Sequence, residues 1–414
     1  DVDVSAFDYF SFGVSGFGKS DRLGGNLKLN RTHVMNVKSD HSNLYLRASS
    51  KAYYDGHKWY SDNKKTTSLG SAQEFTWELN SESEQLITGI SNATGESLDI
   101  AENDFLVDST AQIDFVNLKT KSLFVPAKLY KLSLKSSKEI LSDNEQMLSV
   151  SDVQNKGFSY NIGYYNLNLK SEKLINLLRN SNTPVNKVNN EALYFFDSNN
   201  NYYKSSNSFV LAKSLDKIDF ENLQSEVSRS NKTMDNFYSK YTQVPETVTP
   251  RVRELAEKIT AGKTNNYDKA KAIETYLSTN YPYTIVPGNP PRSMDFVDYF
   301  LFEGKKGYCT YYASAMTIML RCLDIPARFV EGYILPPAPT DGVYKVTGQQ
   351  AHAWVEVYFE GFGWIPFEPT SPFVANLYED RTISATVSSE MMDATYIDYM
   401  EMMNKYRNQN ASLV

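Results

Sequence analysis

Cysteine is scarce in this chain, which has only Cys309 and Cys322 among its 414 residues. Both fall in one segment whose pattern predicts a helix, where a rise of about 1.5 Å per residue separates them by about 20 Å. A disulfide needs Cα atoms within about 7 Å of each other, so these two thiols cannot pair. Packing and hydrogen bonds must therefore hold the fold together without disulfides.

Histidine is also rare, with four residues in the whole sequence. Three of them, His33, His41 and His57, have no Cys, His or acidic partner at ligand spacing, so we expect them to be solvent-exposed structural residues. Scattered histidines do not suggest zinc, and no acidic loop resembles a calcium site. The sequence therefore predicts no metal and no cofactor.

Long apolar runs and concentrated positive charge are missing too. No stretch approaches the roughly 18 apolar residues that suggest a membrane-spanning helix. The formal net charge is −7, from 42 basic and 49 acidic residues that are interspersed, and no basic stripe suits nucleic acid. The chain starts Asp-Val-Asp-Val without Met, which predicts a segment of a longer protein.

Aromatic residues are abundant instead, with 29 Tyr and 22 Phe, and they favour β-rich architecture. Through residues 1–215, apolar side chains recur at every second position in several segments, as in half-buried strands. Examples are Leu44 and Leu46, Leu132 and Leu134, and Phe158, Tyr160 and Ile162. We interpret residues 1–215 as a β-rich N-terminal region of one or two lobes, without a catalytic constellation.

Turn residues divide these strands. Asp55-Gly56 predicts a tight two-residue hairpin turn, and Asn199–Asn201 predicts another reversal. Gly163 lies where the alternation slips by one residue, as a β-bulge would cause.

Beyond residue 215 the pattern predicts a helical connector at 216–244, a compact core at 245–375 and a tail at 376–414 that resembles a linker. Within the core, Thr249-Pro250 is a typical helix start and Gly262 a typical end. A second helix is predicted at 267–279.

Cys309 marks the start of another predicted helix, whose apolar pattern continues to Leu323. At a helix N-terminus, the macrodipole and the unpaired N–H groups stabilise a thiolate. The same N–H groups can bind an oxyanion. A lone cysteine beside an apolar helix is more often a small buried residue, which is our interpretation of Cys322. Cys309 therefore needs a partner before it can be considered a nucleophile.

His352 provides that partner. Residues 351–359 alternate like a strand, and 360–363 supply the turn of a hairpin. A turn centred near residue 360 places His352 opposite Glu368, with Cβ atoms about 5 Å apart. A carboxylate so placed orients an imidazole and stabilises its cation. A histidine with a purely structural role is the usual alternative, and the carboxylate in register argues against it.

Three motifs in this order resemble those of the transglutaminase-like superfamily, over roughly residues 245–373. They are Gly307-Tyr308-Cys309 with its helix and the following strand, Ala351-His352-Ala353-Trp354-Val355-Glu356-Val357, and Gly363-Trp364 through Glu368-Pro369-Thr370. The family usually has Asp where this chain has Glu368, which carries the same charge on a longer side chain. Flanking segments, including Leu23-Gly24-Gly25 and Tyr45-Leu46-Arg47, resemble the bacterial membrane-anchored members of this superfamily.

The resemblance implies an α+β fold with a papain-like transglutaminase core. In such a core the helix that starts at Cys309 packs on an antiparallel sheet that carries His352 and Glu368, and here the β-rich region precedes it. It further implies that Cys309 attacks a carboxamide, that His352 serves as base and then protonates the leaving amine, and that Glu368 orients His352. Tyr308, Trp354 and Tyr283 are candidates for contacting substrate, with packing an equal alternative for each.

The acyl acceptor stays open, since a thioester can pass to an amine, as in a transglutaminase, or to water, as in a cysteine peptidase or amidase. A non-catalytic cell-surface binding module is the alternative outside enzymes, and a binding role centred on the β-rich region is a third. The resemblance implies protein or peptide partners, an extracytoplasmic location at the cell membrane and anchoring through segments outside this chain. We expect a monomer.

Overall fold

A computed structural model describes residues 22–27, 30–61, 66–76, 82–95, 103–181, 194–196, 202–204 and 235–380. The helices in these ranges are α1 (Glu82–Thr94), α2 (Glu172–Arg179), α3 (Pro250–Ile259), α4 (Asn266–Asn280), α5 (Cys309–Cys322) and α6 (Val374–Tyr378). Shorter helical segments lie at 235–241, at Phe296–Asp298 with the π-helix Tyr299–Gly304, and at the 3₁₀ turn Gly348–Gln350.

The strands of the same ranges are β1 (His33–Ser39), β2 (Tyr45–Lys51), β3 (Tyr53–Tyr54), β4 (Trp59–Tyr60), β5 (Thr67–Thr76), β6 (Leu106–Phe115), β7 (Thr120–Ser122), β8 (Leu129–Ser142), β9 (Leu148–Gln154), β10 (Ser159–Leu167), β11 (Tyr194–Phe196), β12 (Tyr202–Lys204), β13 (Ala327–Ile334), β14 (Tyr344–Thr347), β15 (Ala351–Phe359) and β16 (Gly363–Phe367).

These strands form two principal sheets, and the pairings within each are antiparallel. The larger sheet, called here the N-terminal sheet, has the order β14-β1-β6-β10-β8-β9-β7, with β5 paired to β8. The smaller one, called the core sheet, has the order β16-β15-β13-β2. Two short hairpins, β3–β4 and β11–β12, complete the described strands. The expected α+β fold with a β-rich N-terminal region is thus confirmed.

Each sheet takes one strand from the other part of the chain. Strand β14 pairs with β1 in the N-terminal sheet, with Val37 opposite Tyr344. Strand β2 pairs with β13 in the core sheet, with Tyr45 opposite Ile334. The two sheets are therefore interlocked, while the domain limits drawn from the sequence stay a prediction.

Two large apolar clusters and a small third one occupy the interior of the described residues. One large cluster joins helices α3, α4 and α5 to strands β13 and β15, and the other joins the N-terminal sheet to β2 and the end of β13. Strand β2 is buried from Tyr45 to Ser50 because the two large apolar clusters pack on its opposite faces. Gly332 on β13 permits this packing, since a Cβ there would lie 1.9 Å from the carbonyl oxygen of Leu46.

A buried cluster of charges lies at the same junction. The guanidinium of Arg328 on β13 bonds Glu356 on β15 at 2.6 Å and Glu82 on α1 at 3.0 Å. Arg47 on β2 bonds both oxygens of Glu82 at 3.0 Å. Opposite charges and hydrogen bonds offset the desolvation that each of these buried groups suffers.

Most local predictions hold. Helices α3 and α4 follow the predicted ranges, and the strand register shifts at Gly163, which confirms the bulge. The Asp55-Gly56 hairpin exists, but the predicted turn size was wrong. Four residues separate β3 from β4, because the Asp55 carboxylate accepts the N–H groups of His57 and Lys58 and so widens the loop.

Some predictions lie outside the described residues, including the reversal at Asn199–Asn201 and the tail from residue 381. The predicted connector is described at 235–244 and is helical at 235–241. Helices α1 and α2 were not predicted. Within the described residues, no helix is long and apolar enough to cross a membrane.

The expectation that the three N-terminal histidines are exposed was wrong. His41 is buried, with Nδ1 2.5 Å from the Asp380 carboxylate and Nε2 2.8 Å from Ser109 Oγ. His33 and His57 are half-buried. The ring of His33 hydrogen-bonds Asn36 on the same strand, and the ring of His57 hydrogen-bonds the distant Arg22. Such partners make burial of an imidazole tolerable, and spacing along the chain did not reveal them.

We expect the substitution Gly332→Ala to destabilise the protein by about 3 kcal/mol or more, because the added methyl meets rigid backbone rather than a movable side chain. Gly342→Ala is the matched control. No atom lies within 4 Å of a Cβ at residue 342, whose φ is +73°, so the cost there is the left-handed strain of about 1 kcal/mol. Urea unfolding of both variants measures the difference, and equal losses would contradict the close approach of β2 to β13.

Candidate active site

Cys309 is the first residue of α5, as the sequence predicts. Tyr308 precedes it in an extended conformation, and the N–H of Thr284 donates to the carbonyl of Gly307 at 2.8 Å. Residue 307 must be glycine for steric reasons, because a Cβ there would lie 2.4 Å from the Tyr311 side chain. The thiol therefore sits where the first N–H groups of a helix have no partner within that helix.

Small residues on α5 allow neighbours to approach closely. Ser314 Oγ accepts the indole N–H of Trp59 at 2.8 Å, so the β3–β4 hairpin packs directly on the helix. Cys322, at the other end of α5, is buried as predicted, and this burial raises the pKa of its thiol to about 11.

His352 lies on β15, and Glu368 directly follows β16. The predicted hairpin register was wrong by two residues: Tyr358 pairs with Trp364, two positions beyond its expected partner. An even offset keeps side-chain alternation in phase, so His352 and Glu368 become diagonal rather than direct neighbours. The predicted contact nevertheless forms, with His352 Nε2 2.6 Å from Glu368 Oε2.

Glu368 is fully buried and held from several sides. Its Oε2 also accepts the hydroxyl of Tyr45 at 2.8 Å, and its Oε1 accepts the N–H of Thr370 at 2.9 Å. Its own backbone N–H donates to Oε1 of Glu274 at 2.8 Å. These bonds fix both the main chain and the carboxylate, so the oxygen that faces His352 has little freedom to move.

The electrostatics favour a protonated imidazole. Burial alone lowers the pKa of His352, but the charges of Glu368 and Cys309 and the hydrogen bond to Glu368 raise it to about 10. Because Glu368 takes Nε2, Nδ1 is the ring nitrogen available to the Cys309 thiol. The site thus brings together a thiol, an imidazole and a carboxylate, whose residues have exposed fractions of 5%, 1% and 0%.

The three candidate substrate-contacting residues differ in placement. Tyr308 is buried beside Cys309, and burial, with the neighbouring Tyr311 and Cys309, raises the pKa of its hydroxyl. Tyr283 is half-buried, and its ring lies 5.9 Å from that of Phe373. Trp354 is fully buried with its ring 5.1 Å from Tyr45, so it packs beneath the site and reaches no open cleft.

Sequence reasoning missed three residues that contact the site. Phe373 packs against His352 with the rings tilted by 51° and their centroids 4.5 Å apart, and Tyr45 and Glu274 hold Glu368. Glu274 left a signal: it lies on the apolar face of α4 between Ala270 and Leu277, where a charged residue needs a buried partner. Tyr45 belongs to the segment Tyr45-Leu46-Arg47 that resembles the membrane-anchored members, but its contact with Glu368 depends on pairing across the fold and left no local signal.

Across residues 22–380, where described, no three His, Cys, Asp or Glu side chains converge as a metal site would require. The carboxylate and imidazole near Cys309 are already committed to each other.

The raised pKa of His352 predicts a pH-dependent stability. Its folded value of about 10 exceeds the ordinary 6.5, so the stabilisation is complete below about pH 6.5 and is lost as pH rises through about 10. We expect the difference in unfolding free energy between the wild type and His352→Gln to shrink from pH 7 to pH 10, as measured by urea titrations. Repeating the comparison in a Glu368→Gln background should weaken this trend. A difference that stays constant with pH in the wild-type background would contradict it.

Part of this chain is similar in sequence to known proteins. The family model described as the transglutaminase-like superfamily matches residues 253–369. The uncharacterized protein YebA of Bacillus subtilis is 44% identical over 153 residues, covering 35% of this chain and 21% of that protein. A protein-glutamine gamma-glutamyltransferase of Pseudomonas aeruginosa is 35% identical over 130 residues, covering 31% of this chain and 19% of that protein. The chain thus spans about a fifth of the length of these curated relatives.

The fold comparison extends further along the chain. The crystal structure of the periplasmic domain of TgpA from Pseudomonas aeruginosa matches with a TM-score of 0.50 and 18% identity, covering 92% of this chain and 96% of that one. The shared architecture therefore includes the N-terminal sheet as well as the core. Residues 253–369 of this chain belong to the transglutaminase-like superfamily.

Proposed function

We propose that this protein is a thiol-dependent acyltransferase that acts on carboxamide groups of protein or peptide substrates. The observation that carries the proposal is the buried His352–Glu368 contact of 2.6 Å beside a cysteine at the start of α5. A histidine with a carboxylate behind it and a thiol in front is the arrangement of an activated nucleophile. Sequence similarity to a protein-glutamine gamma-glutamyltransferase supports the same reaction class.

In the acylation step, Cys309 attacks the carboxamide carbon as a thiolate, and the carbonyl oxygen gains negative charge. The N–H groups at the start of α5 stabilise this oxyanion. The carbon–nitrogen bond then breaks, and the imidazolium of His352 donates its proton to the departing amine. The products are a thioester on Cys309 and ammonia, or an amine where the substrate amide was substituted.

In the second step, an amine attacks the thioester and forms a new amide. His352 accepts the proton that this amine loses, and the carbon–sulfur bond breaks to return Cys309 as a thiolate. Glu368 stabilises the imidazolium throughout and holds its orientation. The enclosure of the site, where Phe373 covers the imidazole, supports transfer to an amine over hydrolysis, because exclusion of water protects a reactive thioester.

Location is part of the proposal. The similar fold in Pseudomonas aeruginosa is that of a periplasmic domain. Together with the sequence pattern of the bacterial membrane-anchored relatives, this supports a place on the extracytoplasmic side of the cell membrane. The substrates would then be proteins or peptides at the cell surface, with anchoring supplied by segments beyond these residues.

The reaction is tested by incubating the full chain with a glutamine-donor peptide and a fluorescent amine. We expect amine incorporation in the wild type and a loss of at least about 1000-fold in Cys309→Ala, since the nucleophile is removed. Cys322→Ala is the matched control, because it removes the other buried thiol of the same helix and should retain activity.

Other outcomes separate the alternatives. Ammonia or peptide release without amine incorporation, lost in Cys309→Ala, would mean that water is the acceptor and would overturn transfer. Incorporation that persists in Cys309→Ala would refute the thioester mechanism altogether.

A further inference from the structure

Tyr45 comes from outside the residues that match the superfamily, yet it reaches the centre of the site. It is the first residue of β2, the strand from the N-terminal region that completes the core sheet. It lies opposite Ile334 on β13, and β13 separates it from β15, the strand that carries His352. The pairing of β2 with β13 thus delivers a tyrosine to the site from about 200 residues upstream of the core.

The hydroxyl of Tyr45 shares an oxygen with the imidazole. It donates to Oε2 of Glu368 at 2.8 Å, the same oxygen that lies 2.6 Å from His352 Nε2. Its ring contacts His352 edge-on, with centroids 6.1 Å apart, and Trp354 in the same way at 5.1 Å. Tyr45 is therefore in contact with both members of the His352–Glu368 pair.

The chemistry of Glu368 explains why such a contact matters. A glutamate has one more rotatable bond than an aspartate and more conformational freedom to lose on ordering. Thr370 fixes Oε1 from the main chain, but Oε2 must point at the imidazole to orient it. A second donor on Oε2 limits the directions that this oxygen can adopt, and a hydrogen bond to a charged group is among the stronger kinds.

We propose that Tyr45 is a positioning residue that fixes the Glu368 carboxylate and, through it, the orientation of His352. The N-terminal region is then a part of the functional site and not an attached module. This inference rests on the proposed function for its kinetic consequence, although the contact itself can be measured without substrate.

The test uses Tyr45→Phe, which keeps the ring and removes the hydroxyl. We expect kcat for amine incorporation to fall about tenfold or more with KM little changed, as the loss of a hydrogen bond to a charged group implies. Tyr164→Phe is the matched control. It removes a buried hydroxyl that bonds Ser39 in the N-terminal sheet, and it should leave kcat unchanged.

A second readout separates positioning from a general loss of stability. The proton between His352 Nε2 and Glu368 should give a far-downfield proton resonance in the resting protein. We expect Tyr45→Phe to displace this resonance well below the unfolding temperature, and Tyr164→Phe to leave it in place. In a Glu368→Gln background, Tyr45→Phe should have little further effect on kcat, because coupled residues are not additive.

Wild-type kcat together with an unmoved resonance in Tyr45→Phe would overturn the proposal. The proposal would also be overturned if Tyr45→Phe lowered kcat by the same factor in the wild-type and Glu368→Gln backgrounds. If the wild type itself neither transfers nor hydrolyses, the proposed function fails, while the resonance still decides whether Tyr45 positions the pair.

Discussion

Backbone hydrogen bonds between β2 and β13 bring residues 45–51 into the sheet that carries His352. This pairing requires a glycine at residue 332, where the Leu46 carbonyl leaves no space for a side chain. It buries β2 on both faces and places Tyr45 beside Glu368. The geometry of the site and the packing between the two large apolar clusters depend on this one strand, while β14 provides a second link between the two sheets.

The buried charges beside the β2–β13 pairing specify its register more than they add to the stability of the fold. Arg47, Glu82, Arg328 and Glu356 come from four different elements, and each would be costly to bury alone. Burial also lowers the pKa of the nearby Lys128 to about 8, against the raising effect of Glu82 and Glu356. An alternative register of β2 would leave at least one of these charges without a partner, so the cluster disfavours mispaired strands.

The parts of the site that depend on local sequence pattern were predictable from the sequence. Alternation along β15 and the position of the turn predicted that His352 and Glu368 lie on the same face of the sheet. The predicted register was wrong by two residues, but an even error keeps both side chains on that face, and they remain in contact. The sequence pattern of a helix start correctly predicted that Cys309 lies at the N-terminus of α5. The contact of Tyr45 with Glu368 and that of His41 with Asp380 were not predictable, because each joins residues more than 300 positions apart and pairing across the fold leaves no local periodicity.

The interlocked sheets also determine how the protein can be dissected. Cutting the chain near residue 240 would leave β1 without β14 in the N-terminal fragment. It would leave β13 without β2 in the C-terminal fragment. Each fragment would then expose a strand edge with unpaired N–H and C=O groups beside a hydrophobic cluster, and such an edge favours aggregation over independent folding. The residues matching the superfamily begin at 253, so that fragment alone would also leave Glu368 without the Tyr45 hydroxyl. Loss of activity on truncation would therefore show only that the site is incomplete, and single substitutions in the full chain are needed to assign a role to the N-terminal region.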